Sequence, residues 1–221
     1  MQRSSSLTCY HCDALATGRE HVPPKCLFPK GRLWSRLTTV PSCPAHNNAT
    51  SKADEYLRFL LGAVMTPVPD AIKLGAARST VRLAVKRSNN LAQYGFQWEG
   101  EVLDIGKDFL LNTELLNACL EKMARALYFH HHGGQRKLTG QLHVLPLFIP
   151  LASNAEWNFA FGVALARTVV ADHFQHGLRL GDHQEMFAYQ FIEAAGLLQV
   201  NMQFYETHHA SVICVETHYA L

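Results

Sequence analysis

An α+β fold in two parts is predicted by three features of this 221-residue chain. Its first 65 residues are rich in Cys, His and Pro, a later stretch keeps apolar residues at helical spacing, and the last quarter reads as short strands joined by turns. The composition changes at Thr66-Pro67-Val68-Pro69, where two prolines interrupt helical patterning. This places a small module over residues 1–65 and an α+β domain, with a long helix and an antiparallel sheet, over residues 66–221. With 48% hydrophobic residues the chain has the material for a buried core, which excludes disorder throughout.

Ser51-Lys52-Ala53-Asp54 has the form of an N-cap with an acidic partner three residues on, opening a helix through Leu60. Over residues 70–88, Leu74, Ala77, Val81 and Val85 recur at helical spacing with Lys73, Arg78, Arg82 and Lys86 between them, the pattern of an amphipathic helix with a basic outer face. Such a face is more commonly just solvated than bound to a ligand. Asn112 or Thr113 caps the clearest helix, in which Leu116, Cys119, Leu120, Met123 and Leu127 share one side and Gly133-Gly134 marks the stop. Strands are predicted over 142–149, 188–192, 198–204 and 212–215, with Ala194-Ala195-Gly196 turning between the middle pair, so the chain ends in an antiparallel meander.

A formal net charge of +2 is too mild to mark a nucleic-acid binder by itself. The distribution is more telling: residues 1–60 carry eight Lys/Arg against four Asp/Glu, and the remainder twelve against fourteen. The basic excess sits with the N-terminal module, where a phosphate backbone would dock. The opening Met-Gln-Arg-Ser-Ser-Ser-Leu lacks the apolar run of a secretory signal, so a reducing, cytoplasmic setting is expected, in which Cys-x-x-Cys reads as a metal or redox site before a disulfide. Leu57 to Met65 falls far short of the roughly 20 apolar residues that span a bilayer, so no membrane partner is expected.

Cys9-x-x-Cys12 and Cys43-x-x-His46 form two knuckles about thirty residues apart, each able to turn two ligands toward one ion. Three thiolates and an imidazole suit a closed tetrahedral zinc site. The surrounding segment has too few large apolar residues for a core of its own, which gives a structural metal a folding role. Replacement of one ligand by Cys26 or His11, or cysteines that are simply buried thiols, are the plainer alternatives.

Between the knuckles stands Arg19-Glu20-His21-Val22-Pro23-Pro24-Lys25, and Asn47-Asn48 follows the second knuckle. An acidic residue and His before Pro, bracketed by Cys-x-x-Cys and Cys-x-x-Cys/His with Asn next, resembles the zinc-containing branch of the HNH (ββα-metal) endonucleases. The resemblance covers about residues 7–60. It implies a zinc-stapled, treble-clef-like ββα module with the acidic-His pair on the first strand of a hairpin and the Asn at the start of the helix. It further implies His21 as general base, and Glu20 and Asn47 as ligands of a catalytic magnesium or manganese ion, beside a structural zinc on Cys9, Cys12, Cys43 and His46. The expected reaction is hydrolysis of nucleic-acid phosphodiester bonds, with DNA the expected partner, and Lys25, Lys30, Arg32 and Arg36 as phosphate contacts.

Three departures from the family pattern stand out. Thr38 occupies the place of an Asn that orients the base histidine, His46 replaces a fourth cysteine, and Glu20 stands where Asp is common. A zinc module that binds nucleic acid or protein without cleavage is the rival reading, and a functional centre in the C-terminal domain is the third.

The remaining candidates have ordinary explanations. His130-His131-His132 at a helix end complements the helix dipole, and the groups around Asp172, His173, His176 and His183 and around His208, His209 and His218 are what thirteen histidines produce by chance. Cys119 and Cys214 read as core thiols. Trp98, Trp157 and Phe159 have the chemistry to stack on bases, although burial is the commoner fate of such residues.

Overall fold

A computed structural model describes residues 7–29, 37–47, 50–64, 97–99, 102–104, 111–149, 155–194 and 196–215. The fold is mixed α+β. Strand β1 (Gly18–His21) pairs antiparallel with β2 (Thr39–Ser42), and helix α1 (Ser51–Val64) follows. A two-stranded ribbon, β3 (Gln97–Glu99) with β4 (Val102–Asp104), precedes helix α2 (Thr113–His131). Then come β5 (Leu142–Leu145), helix α3 (Trp157–His176), β6 (Phe187–Ala194), β7 (Leu197–Phe204) and β8 (His208–Val215). The last three strands form the expected meander, and β5 adds to the free edge of β8, giving the antiparallel order β5-β8-β7-β6.

Local chemistry accounts for the element ends. Asn112 caps α2 by accepting a hydrogen bond from the Leu115 amide at 3.0 Å, and its own amide donates to the Tyr56 hydroxyl of α1 at 2.8 Å, so one residue both starts a helix and docks it. Gly133 and Gly134 adopt φ of 62° and 80°, the left-handed conformation that ends α2 at low steric cost. The predicted strand over 142–149 stops at Leu145, because Pro146 has no amide to give the ladder and residues 147–148 turn.

One face of the sheet, built from Phe187, Tyr189, Leu198, Val200, Met202, Phe204, Ala210, Val212 and Cys214, belongs to the same buried cluster as Leu116, Cys119, Leu120, Met123 and Leu127 of α2. That cluster continues into Tyr56, Leu57, Leu60 and Leu61 of α1 and into Tyr10, Val22, Leu27 and Val40. Residues 65–70, where the module boundary is expected, lie outside the described residues, and side chains from both sides of it share this one core. The predicted basic helix over 70–88 also lies outside them. Helix α3, absent from the sequence prediction, covers part of the opposite sheet face through Val170 and Phe174, which meet Leu147 and Ala188. Among the described residues no helix is long and apolar enough to cross a membrane.

Candidate metal centre and the adjoining pocket

Cys9 and Cys12 sit on a loop pinned to the hairpin, where the Tyr10 amide donates to Pro41 O at 2.8 Å and the Thr17 amide to Ser42 O at 3.0 Å. Cys43 directly follows β2, and a single 3-10 turn, Pro44–His46, swings His46 back over it. The four ligand atoms lie within 4.8 Å of one another. Cys12 Sγ is 3.8 Å from Cys43 Sγ, and His46 Nδ1 is 3.7, 3.5 and 3.2 Å from the sulfurs of Cys9, Cys12 and Cys43. Bonds of about 2.3 Å to sulfur and about 2.0 Å to nitrogen give tetrahedral edges of about 3.5–3.8 Å, so the cluster could hold an ion such as zinc with little adjustment. Burial holds the His46 imidazole below its ordinary pKa, which favours the neutral form that binds metal.

The two alternative ligands are elsewhere engaged. His11 stacks on the His46 ring with centroids 3.9 Å apart, and the Cys26 thiol, pushed up to about 12 mainly by burial, donates to Asp54 O at 3.5 Å. Lys137, from beyond α2, donates to Cys12 O at 2.7 Å and to the Asp13 carboxylate at 2.9 Å, tying the first knuckle to the rest of the chain.

Beside the centre an open cavity of about 300 Å³ is lined by Arg19, Glu20, His21, Lys25, Asn47 and Asp54, with Pro24, Cys26, Ser51 and Glu55 completing its wall. Three residues singled out from sequence, Glu20, His21 and Asn47, therefore border one space. Glu20 and His21 are neighbours on β1, opposite Val40 and Thr39 of β2. Asn47 follows the His46 turn and lies against the start of β1. Its Nδ2 donates to Arg19 O at 3.3 Å, and a Cβ at Gly18 would come within 3.1 Å of that nitrogen.

His21 is half-buried, and its pKa is lowered by burial first and then by Lys25 and Arg19. Among the described residues no side chain hydrogen-bonds its imidazole. The hydroxyl of Thr39 accepts instead from Arg19 Nε at 2.8 Å, and Thr38 contributes its carbonyl to the Val22 amide at 3.0 Å. The Thr38 and Thr39 side chains thus give the His21 ring no orienting contact.

Sequence reasoning missed the partner of Glu20. Glu20 is buried, and Lys122 Nζ of α2 lies 3.1 Å from its Oε1, 3.2 Å from Thr50 Oγ1 and in close contact with Asp54 Oδ1. Burial raises the Glu20 pKa, against the Lys122 charge and hydrogen bond, with Asp54 raising it further. Burial opposes the charge of Lys122, yet Cys119, Asp54 and Glu20 around it bring its pKa above the ordinary value. Glu20 therefore reaches the cavity with one oxygen already engaged by an ammonium. The one hint in the sequence is a lysine on the same side of α2 as Cys119 and Met123, which does not name its partners.

Lys25 stands exposed at the cavity rim, whereas Lys30, Arg32 and Arg36 lie outside the described residues, as does Asn48. His131 packs on Phe191 and His132 on Tyr128, while Cys119 and Cys214 are core residues. Burial, expected for Trp157 and Phe159, is not their state: both are largely exposed, and the part of α3 that packs on the sheet is its later half, through Val170 and Phe174. Comparison with known proteins gave no match: no family model, no curated protein and no solved structure is similar to the chain.

Proposed function

We propose that this chain is a metal-dependent endonuclease of the HNH type, hydrolysing nucleic-acid phosphodiester bonds, with DNA as its substrate. The observation that carries the reading is the convergence of Glu20, His21 and Asn47 on one cavity next to a Cys3His cluster. An imidazole with a depressed pKa is neutral at pH 7 and is suited to take a proton from an attacking water. Arg19 and Lys25 at the cavity border supply the positive charge that a phosphate backbone needs. The cavity also offers hard oxygen donors in kind: Glu20 carries a second carboxylate oxygen, and Asn47, using Nδ2 for Arg19 O, keeps its Oδ1 as a ligand atom. These two residues would hold magnesium or manganese, which when bound supplies charge to neutralise the phosphate and the leaving oxygen. In this reading zinc is structural, fixing the hairpin and the start of α1 so that the three side chains stay together.

Plasmid nicking tests the proposal, using the zinc-loaded chain and His21→Ala with magnesium or manganese. Cleavage by the parent protein that His21→Ala loses by a factor of about 100 or more supports it. One observation favours the second reading, a zinc module that binds without cutting: the Glu20 carboxylate is already paired with Lys122. Salt-sensitive binding of DNA with no cleavage under any divalent ion would select that reading instead.

A further inference from the structure

Helix α3 carries an apolar ridge that stays exposed among the described residues. Trp157, Phe161, Leu165 and Val169 follow one another at four-residue intervals and are 73, 57, 54 and 41% exposed. The first two rings stack nearly parallel, 10° apart with centroids 5.4 Å apart, so the ridge begins as a flat aromatic slab. Phe159, on another side of the helix, and Leu178, just past its end, are exposed as well, so that most of the large exposed hydrophobic residues among the described ones lie on or just beyond this one helix. The opposite side, Val163, Ala166, Val170 and Phe174, is the side that meets the sheet.

We propose that this ridge is a self-association surface, pairing with the same ridge of a second copy of the chain about a two-fold axis. Charge identifies the occupant. No charged residue occurs between Trp157 and Ala166, and Arg167 spends its guanidinium on Leu147 O and Ile149 O. Only at the far end do Asp172 and His176 face each other across one turn. A partner recognised by charge has nothing to grip here, whereas an equally uncharged apolar face fits, and the ridge is such a face. Residues at i, i+4, i+8 form the ridges that interdigitate when two helices cross at about −50°. Gly162, where a Cβ would meet nothing within 4 Å, leaves a shallow place beside Phe161 for an opposing side chain.

The area suits a reversible dimer. With these exposures the four ridge residues offer on the order of 450 Å² per copy, or about 900 Å² for the pair, just below the usual range for a specific interface. A dissociation constant in the micromolar range is expected from so small a contact.

Sedimentation velocity of the full chain from about 1 to about 200 µM tests this, together with two variants, Leu165→Glu and Leu165→Lys. The expected result is a concentration-dependent monomer–dimer equilibrium for the parent chain. Each variant alone should be monomeric with an unchanged melting temperature, and an equimolar mixture of the two should dimerise again, because a two-fold axis brings residue 165 of each copy near the other. A parent chain that stays monomeric across the range overturns the proposal, as does a dimer that both variants leave intact.

Discussion

Lys122 Nζ lies 3.1 Å from Glu20 Oε1, a buried ion pair between residues 102 positions apart that fastens strand β1 to helix α2. With Asp54 of α1 on the same ammonium, the contact joins three elements. Lys122→Met leaves the buried Glu20 carboxylate and the partly buried Asp54 carboxylate facing one another and should cost about 3–5 kcal/mol in urea unfolding. Glu20→Gln in that background should return part of the loss, a coupling that a double-mutant cycle measures. A single-variant cost below about 1 kcal/mol would mean that the pair is not the clasp described.

The sequence made one side of this clasp legible and hid the other. Cys9, Cys12, Cys43 and His46 announce themselves because metal ligands need short fixed spacings, and the structure does bring them together. Helix α2 and the meander were readable from the Asn112 cap, the stripe from Leu116 to Leu127 and the turn at Gly196, which has φ of 81°. Lys122 escaped because a lysine on an apolar stripe gains its meaning only from carboxylates supplied by distant segments. Helix α3 escaped because Trp157, Phe159, Phe161, Leu165 and Val169 do not confine apolar residues to one side, so no period stood out.

Removing the metal should loosen the hairpin before the sheet. The hydrogen bonds from Tyr10 and Thr17 to β2 tie the loop bearing Cys9 and Cys12 to the hairpin, so a change at the ligands is expected to reach β1 and β2 first. In Cys43→Ser, or after strong chelation, amide exchange in β1 and β2 is expected to quicken by at least about tenfold while β7 and β8 keep most of their protection. Uniform loss of protection across all these strands would contradict a locally acting metal.

The acid limb of any cleavage activity should report His21. Its pKa lies below the ordinary 6.5 through burial, Lys25 and Arg19, so the neutral base persists to lower pH than a free imidazole would. Activity is therefore expected to be flat from pH 8 down to about 6.5 and to fall only below that. Lys25→Glu removes one of the depressing charges and should move the limb upward. A limb above pH 7 in the parent chain would exclude His21 in this setting as the base.

Gly18 should matter more for activity than for stability. A Cβ there reaches 3.1 Å from Asn47 Nδ2, so Gly18→Ala must displace the carboxamide that borders the cavity. Cleavage is expected to drop about 10- to 100-fold with little change in melting temperature. Unaltered cleavage would remove Asn47 from the reacting site.

Stability should fall in mild acid through a group remote from the cavity. His209, stacked on Phe174, is held to about 4 by burial and then by His208. The unfolded chain takes up this proton near pH 6.5 and the folded chain only near 4, so stability declines as pH drops between those values and the contribution levels off below. His11, also held to about 4, acts in the same direction. His209→Phe is expected to flatten part of the slope in urea titrations between pH 7 and pH 4, and an identical slope would place the effect elsewhere.

Zinc-edge X-ray absorption on the chain as purified tests most directly whether one ion organises the hairpin, His21 and Asn47. The predicted spectrum belongs to about one zinc per chain with three sulfurs near about 2.3 Å and one nitrogen near about 2.0 Å, and it loses one sulfur in Cys12→Ser. Protein that carries far less than one zinc, or a shell of oxygen and nitrogen alone, would contradict it.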